Sequence, residues 1–223
     1  MDLNLSQLQY VLFDWDNTLA ETRTTLETVI NRVLKEYGKP PLAQSNGHYD
    51  KDLSFRDNFP NIFGADCGAE AYRRYAELYK QLVGGLLSTF PCVHETLEFF
   101  HSRRIPMIVL TNKDRRLLDF EMPLLFPPHI FTRIIAGHEA PKDKPYPEQA
   151  WYALRGLLEP EDFSPEKVWI VGDSDMDSDC ALQSGAKPIR IGRSIWDNGN
   201  GEDDRILHFD SFCAFLHKLK SSL

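Results

Sequence analysis

Short apolar runs alternate with stretches of helical periodicity along this chain. Tyr10-Val11-Leu12-Phe13 reads as a buried strand. From Thr22 to about Tyr37, apolar residues recur at Leu26, Val29, Ile30, Val33 and Leu34, which predicts a helix. Gly38 and Pro40-Pro41 stop it. Residues 42–65 carry many Asn, Asp, Gly and Pro and read as irregular. Helices are expected over Ala69 to Leu87 and after Pro91, where Val93, Leu97, Phe99 and Phe100 repeat. Ile105 to Leu110 predicts a strand, residues 114–125 a helix, and Arg133 to Gly137 a third strand. Pro147 to Leu158 reads as a helix and Lys167 to Asp173 as a clear strand. A helix through Ala181-Leu182 ends at Gly185. Lys187 to Ile191 is a short strand, and a helix from about Ser211 to Lys220 closes the pattern.

Strands alternating with helices predict an α/β fold, a parallel sheet with helices on both faces. Residues 20–90 break the alternation, being mostly helical. They read as a helical insert over the end of the sheet where ligands bind, with residues 1–19 and 91–223 forming the α/β core. The polar loop Trp196 to Asp204 reads as an exposed excursion.

Composition narrows the function. The 223 residues suffice for one sizeable core, or a core with a small insert. A net charge of −8, with no clustering of Arg and Lys, argues against a nucleic-acid partner. No apolar stretch approaches the ~20 residues that span a bilayer, and the N-terminus lacks a signal-peptide pattern, so a cytoplasmic location is expected. Cys67, Cys92, Cys180 and Cys213 form no CxxC pair and read as buried free thiols. The seven histidines show no zinc spacing.

Four polar clusters carry the candidate chemistry: Asp14/Asp16/Thr18, Thr111/Asn112, Lys144 with Pro145 and Pro147, and Gly172 to Asp177. All but the Lys144 cluster directly follow an apolar strand. In a parallel sheet the four converge on one edge. Two acids at the end of a buried strand repel each other unless a cation, a proton or a substrate intervenes. Phosphoryl transfer needs this set. Asp14 would attack phosphorus, and Asp16 would protonate the leaving oxygen and then activate water. Asp14, the Asp16 main-chain carbonyl and Asp173 would hold Mg²⁺. Thr111, Asn112 and Lys144 would bind the phosphoryl oxygens.

Each residue also has a plainer reading. Asp177 could serve the metal site or cap a helix; Ser174 reads as an N-cap. Asp175 and Asp179 read as solvated helix-start residues. Thr111 could merely close a turn, and Lys142 competes with Lys144. A calcium loop starting at Asp173 fails, because Ser178 and Ser184 stand where it needs Gly and Glu. Arg56 is either a surface arginine or the binder of a second anionic group on a substrate.

FDWDNTL at 13–19, TNK at 111–113, KPYPE at 144–148 and GDSDMDSDCALQSGA at 172–186 resemble, in this order, the haloacid dehalogenase-like phosphatases. The phosphoglycolate-phosphatase-like branch is the one resembled, and FPCVHETLEFF at 90–100 adds to the likeness. The resemblance implies a Rossmann-like core, a helical cap after the first motif, Mg²⁺ and an aspartyl-phosphate intermediate. It maps Asp14 to the nucleophile, Asp16 to the acid/base, Thr111 and Lys144 to phosphate ligands, and Asp173 and Asp177 to the metal site. Asn17 and Cys92 stand where that family often has glycine, and Trp15 where it often has a small or aliphatic residue. A small phosphorylated metabolite is the expected substrate, phosphoglycolate among the options. A phosphomutase of the same chemistry, a dehalogenase and a non-catalytic binding protein are the alternatives. Asp16 and the metal-binding acids argue against the dehalogenase.

Overall fold

The computed structural model describes residues 3–44, 49–50, 53–192 and 203–222. Its centre is a parallel sheet of six strands in the order β5-β4-β1-β6-β7-β8. These are β1 (Tyr10–Phe13), β4 (Met107–Leu110), β5 (Arg133–Ile135), β6 (Val168–Gly172), β7 (Lys187–Ile191) and β8 (Leu207–Phe209). β1 lies between β4 and β6, with Leu12 opposite Ile108 on one side and Ile170 on the other. Strand order reverses between β1 and β6, and such a reversal opens a ligand crevice at the C-terminal strand ends.

The central strands read as continuous apolar runs because both faces are covered. Val11, Phe13, Val109 and Val171 face one cluster, with α4 (Val93–Ser102), α5 (Arg115–Leu125) and α8 (Phe212–Ser221) packed against it. Leu12, Ile108, Leu110 and Ile170 face the other, covered by α6 (Glu148–Ala153) and α7 (Asp175–Ser184). Alternate residues of each strand thus enter opposite cores, as a period of two requires. This is the parallel α/β architecture that the alternation predicts, with the Rossmann-like core that the resemblance implies.

Between β1 and α4, three helices pack on one another around a third apolar cluster. They are α1 (Arg23–Glu36), α2 (Phe59–Phe63) and α3 (Gly68–Val83). Two-residue strands β2 (Ala20–Glu21) and β3 (Ser88–Thr89) pair antiparallel where the chain leaves and re-enters the sheet-bearing part. The α2 turn sits inside the stretch expected to be irregular, where Phe59, Ile62 and Phe63 bury an apolar face. β8, β2 and β3 are too short to leave a periodic signal.

The cysteine expectation is corrected. Cys92 and Cys213 form a disulfide that ties the N-cap position of α4 to α8, and Cys67 is exposed; Cys180 is a buried free thiol. Their partnership comes from the packing of α4 on α8, which sequence spacing does not reveal. Most of the loop expected over Trp196 to Asp204 lies outside the described residues. No described helix is long and apolar enough to cross a membrane.

Candidate active site

Asp14 is the first residue beyond β1. Its N–H donates to Val171 O at 2.9 Å, which continues the β1–β6 pairing and fixes the carboxylate at the crevice. The side chain is buried. Its Oδ2 accepts from the Thr18 hydroxyl at 3.2 Å, and its Oδ1 from Lys144 Nζ at 2.7 Å. Lys144 Nζ also donates to Asp177 Oδ1 at 2.5 Å. Burial pushes the Asp14 carboxyl up to about 6; Lys144 opposes that and Asp177 adds to it. Burial works against the Lys144 charge as well, but Asp14 and Asp177 together outweigh it and hold the ammonium protonated.

Asp173 and Asp177 come from the end of β6 and the first turn of α7. Asp177 has two duties. Its Oδ2 caps α7, accepting from the Ser174 N–H at 3.1 Å and from the Ser174 hydroxyl in a capping box, while its Oδ1 takes Lys144. Gly172 is required here, because a Cβ would lie 2.2 Å from Asp177 Cγ. Asp14, Asp173 and Asp177, all buried, offer carboxylate oxygens that lie within 4.8 Å of one another. Hard anionic oxygens at this separation suit a small divalent cation such as Mg²⁺.

The Lys144 loop is held from β4. Asn112 Nδ2 donates to Lys144 O at 2.8 Å, and Asn112 Oδ1 accepts from Lys144 N at 3.0 Å. Both ends of this side chain thus bond the lysine's backbone, so Asn112 holds the Lys144 loop against the end of β4. Thr111 is buried at the end of β4, and its hydroxyl accepts from Lys113 N at 3.2 Å. Lys142, by contrast, is exposed and pairs with Glu148 at 3.0 Å.

Asp16 is partly exposed and lies on another cation. Its Oδ1 accepts from Lys113 Nζ at 2.6 Å. Lys113 also pairs with Glu121 Oε1 at 3.0 Å, and Glu121 Oε2 accepts from the Trp15 indole at 2.5 Å. Burial pushes the Glu121 carboxyl up. Sequence reading passed over this group. The available signal was a glutamate on the core face of α5, among buried Leu117, Leu118 and Met122.

Asp14, Asp16, Thr111, Asn112, Lys113, Lys144 and Asp173 line one cavity of about 550 Å³. Arg56 lines it too, from the segment before α2, 3.4 Å from Asp57 and 3.8 Å from Asp143. Tyr72 and Tyr75 of α3 complete its far side. The cavity therefore lies between the strand ends and the three-helix cluster.

The model of haloacid dehalogenase-like hydrolases matches residues 11–191. The chain belongs to this family. Among similar proteins of this haloacid dehalogenase-like group is the phosphoglycolate phosphatase of Chromobacterium violaceum, 24% identical over 199 residues, covering 85% of this chain and 87% of the relative. The phosphorylated carbohydrates phosphatase of Thermotoga maritima is 28% identical over 193 residues, covering 82% and 84%. A solved structure of CbbY from Rhodobacter sphaeroides in complex with phosphate shares the fold, with a TM-score of 0.72, 20% identity and coverage of 96% of this chain and 99% of that one. Within the family this chain is a phosphatase-type hydrolase, similar to the phosphoglycolate-phosphatase-like branch.

Proposed function

We propose that this chain hydrolyses small phosphorylated metabolites by passing the phosphoryl group to Asp14 and then to water. The observation that carries this reading is the environment of Asp14: a buried carboxylate at the crevice, 2.7 Å from Lys144 and clustered with Asp173 and Asp177. The names of the relatives in Chromobacterium and Thermotoga support the substrate class.

Asp14 forms a bond to phosphorus as the ester P–O bond breaks, and Asp16 gives its proton to the leaving oxygen. In the second half Asp16 takes a proton from water, whose oxygen bonds to phosphorus and releases Asp14. Lys144 and Thr111 hold the phosphoryl oxygens, with Lys144 fixed by Asn112. Asp14, Asp173, Asp177 and the Asp16 carbonyl would hold Mg²⁺, which offsets the repulsion between carboxylate and phosphate. Residues 20–90 serve as a cap over the core formed by 1–19 and 91–223. The short β2–β3 ribbon, which pairs Ala20 with Thr89 and Glu21 with Ser88, supports these boundaries. The cavity's size suits a metabolite rather than a macromolecule. Arg56 would meet a second anionic group of the substrate.

The test is release of inorganic phosphate from a panel of phosphorylated metabolites, phosphoglycolate and sugar phosphates included, with Mg²⁺ and with EDTA. Release that needs Mg²⁺ and falls by about three orders of magnitude or more in Asp14→Asn is expected. Undiminished release by folded Asp14→Asn removes Asp14 as nucleophile, and an isomerised phosphate ester in place of free phosphate assigns a mutase.

A further inference from the structure

The two carboxylates of the first motif do not share a cation. Asp14 lies on Lys144 at 2.7 Å and Asp16 on Lys113 at 2.6 Å. Lys113 is nearly buried and is held from behind. Glu121, fully buried on α5, pairs with it at 3.0 Å, and the Tyr79 hydroxyl of α3 stands 3.4 Å away. Trp15, which separates Asp14 from Asp16, donates its indole N–H to the far oxygen of Glu121. A chain of contacts thus runs Trp15–Glu121–Lys113–Asp16, starting and ending in the same motif. A carboxylate buried on a helix face is destabilising unless it is paired, and an apolar residue would fill the space at less cost in stability. Packing therefore does not account for Glu121.

We propose that Lys113, anchored by Glu121 and Trp15, is the positioning residue for Asp16. This rests on Asp16 being the acid/base. An ammonium only donates, so the Asp16 oxygen that faces it must accept. The proton that Asp16 hands to a leaving group is then carried on Oδ2. As the ester P–O bond breaks, the leaving oxygen takes that proton; in the second half the same Oδ2 takes a proton back from water. Lys113 selects the working oxygen. Glu121 shares the ammonium and keeps it behind Asp16, away from the phosphate, which is left to Lys144.

Leaving-group dependence tests this, because an activated ester needs little protonation and an alkyl ester needs much. The values compared are kcat/KM for p-nitrophenyl phosphate and for the alkyl phosphate ranked first in the substrate panel. This ratio reports steps through release of the first product, where Asp16 acts as acid. Wild type, Asp16→Asn and Lys113→Met are measured together. A Lys113→Met/Glu121→Gln double variant is included because it leaves no unpaired buried charge and keeps an acceptor for the Trp15 indole. Loss of about 10²-fold on the alkyl ester, and less than about 10-fold on the activated one, is expected for Asp16→Asn and for both Lys113 variants. Equal losses on the two esters, or none, in folded Lys113 variants overturn the proposal while leaving Asp16 its role. Absence of the selective loss in Asp16→Asn itself removes Asp16 as the acid, and the proposal with it.

Discussion

Lys144 concentrates the energetics of the site in one side chain. It is buried between Asp14 and Asp177, and Asn112 pins its backbone from both sides. Removing one partner of a buried ion pair leaves charge uncompensated in a poor solvent, at a cost of about 3–5 kcal/mol. Lys144→Met is therefore expected to lower the unfolding free energy of metal-free protein by about 3 kcal/mol in urea titration. It should also lower kcat/KM at least 10²-fold, by the order typical of a lost phosphoryl-oxygen donor. A variant as stable as wild type would mean that the two aspartates do not depend on this ammonium. Two departures from the family pattern fall at positions of special backbone geometry. Asn17 has φ +57° and Cys92 φ +65°, the left-handed region in which glycine is at ease. Asparagine tolerates that conformation better than most side chains, so the turn after β1 survives the substitution.

At the scale of elements, α5 shows how a helix start is tied to the site. Asp114 is its N-cap and accepts from Arg116 N at 2.8 Å, from the Arg116 guanidinium at 2.7 Å, and from the Tyr72 hydroxyl of α3 at 3.2 Å. Burial works against the carboxylate, but these donors outweigh it and hold the group down at about 2. A carboxyl depressed in the folded state adds stability above its unfolded value, near 4, and loses it as pH falls toward 2. Asp114→Ala is expected to cost about 1 kcal/mol at pH 7. The gap from wild type should be unchanged at pH 5 and smaller at pH 3, as read from urea midpoints; a gap that grows on acidification contradicts the assignment. Elements of this kind were legible in the chain, because α1, α3 and α5 carry an apolar stripe and the central strands continuous apolar runs. β8 and the β2–β3 ribbon were not, since two or three residues contain no period. The carboxylates proposed to be catalytic and Lys144 could be picked out because each follows a strand or precedes a helix. Glu121 could not, because its partners Lys113 and Trp15 are brought to it only by the packing of α5.

In the whole molecule, long-range closure depends on contacts that no local pattern records. Cys92 opens α4 directly after the proposed cap, and Cys213 lies in the last helix, 121 positions away in sequence. Their bond joins the segment that returns from the three-helix cluster to the far end of the chain. It leaves that cluster's other entry, at Ala20, without a covalent tether of its own. Cross-linking across so long a loop restricts the unfolded ensemble, and native disulfides of this kind contribute about 2–4 kcal/mol. A phosphine reductant should therefore move the urea midpoint of the wild type downward by the equivalent of that amount. A Cys92→Ser/Cys213→Ser variant should begin at the lower value and not respond to reductant. The phosphatase assay separates stability from chemistry. Both cysteines lie outside the residues that line the cavity, so kcat/KM at low temperature should be the same in oxidised, reduced and serine forms. A fall in kcat/KM on reduction at a temperature where the protein stays folded would show that tying α4 to α8 also sets the placement of the proposed cap over Asp14.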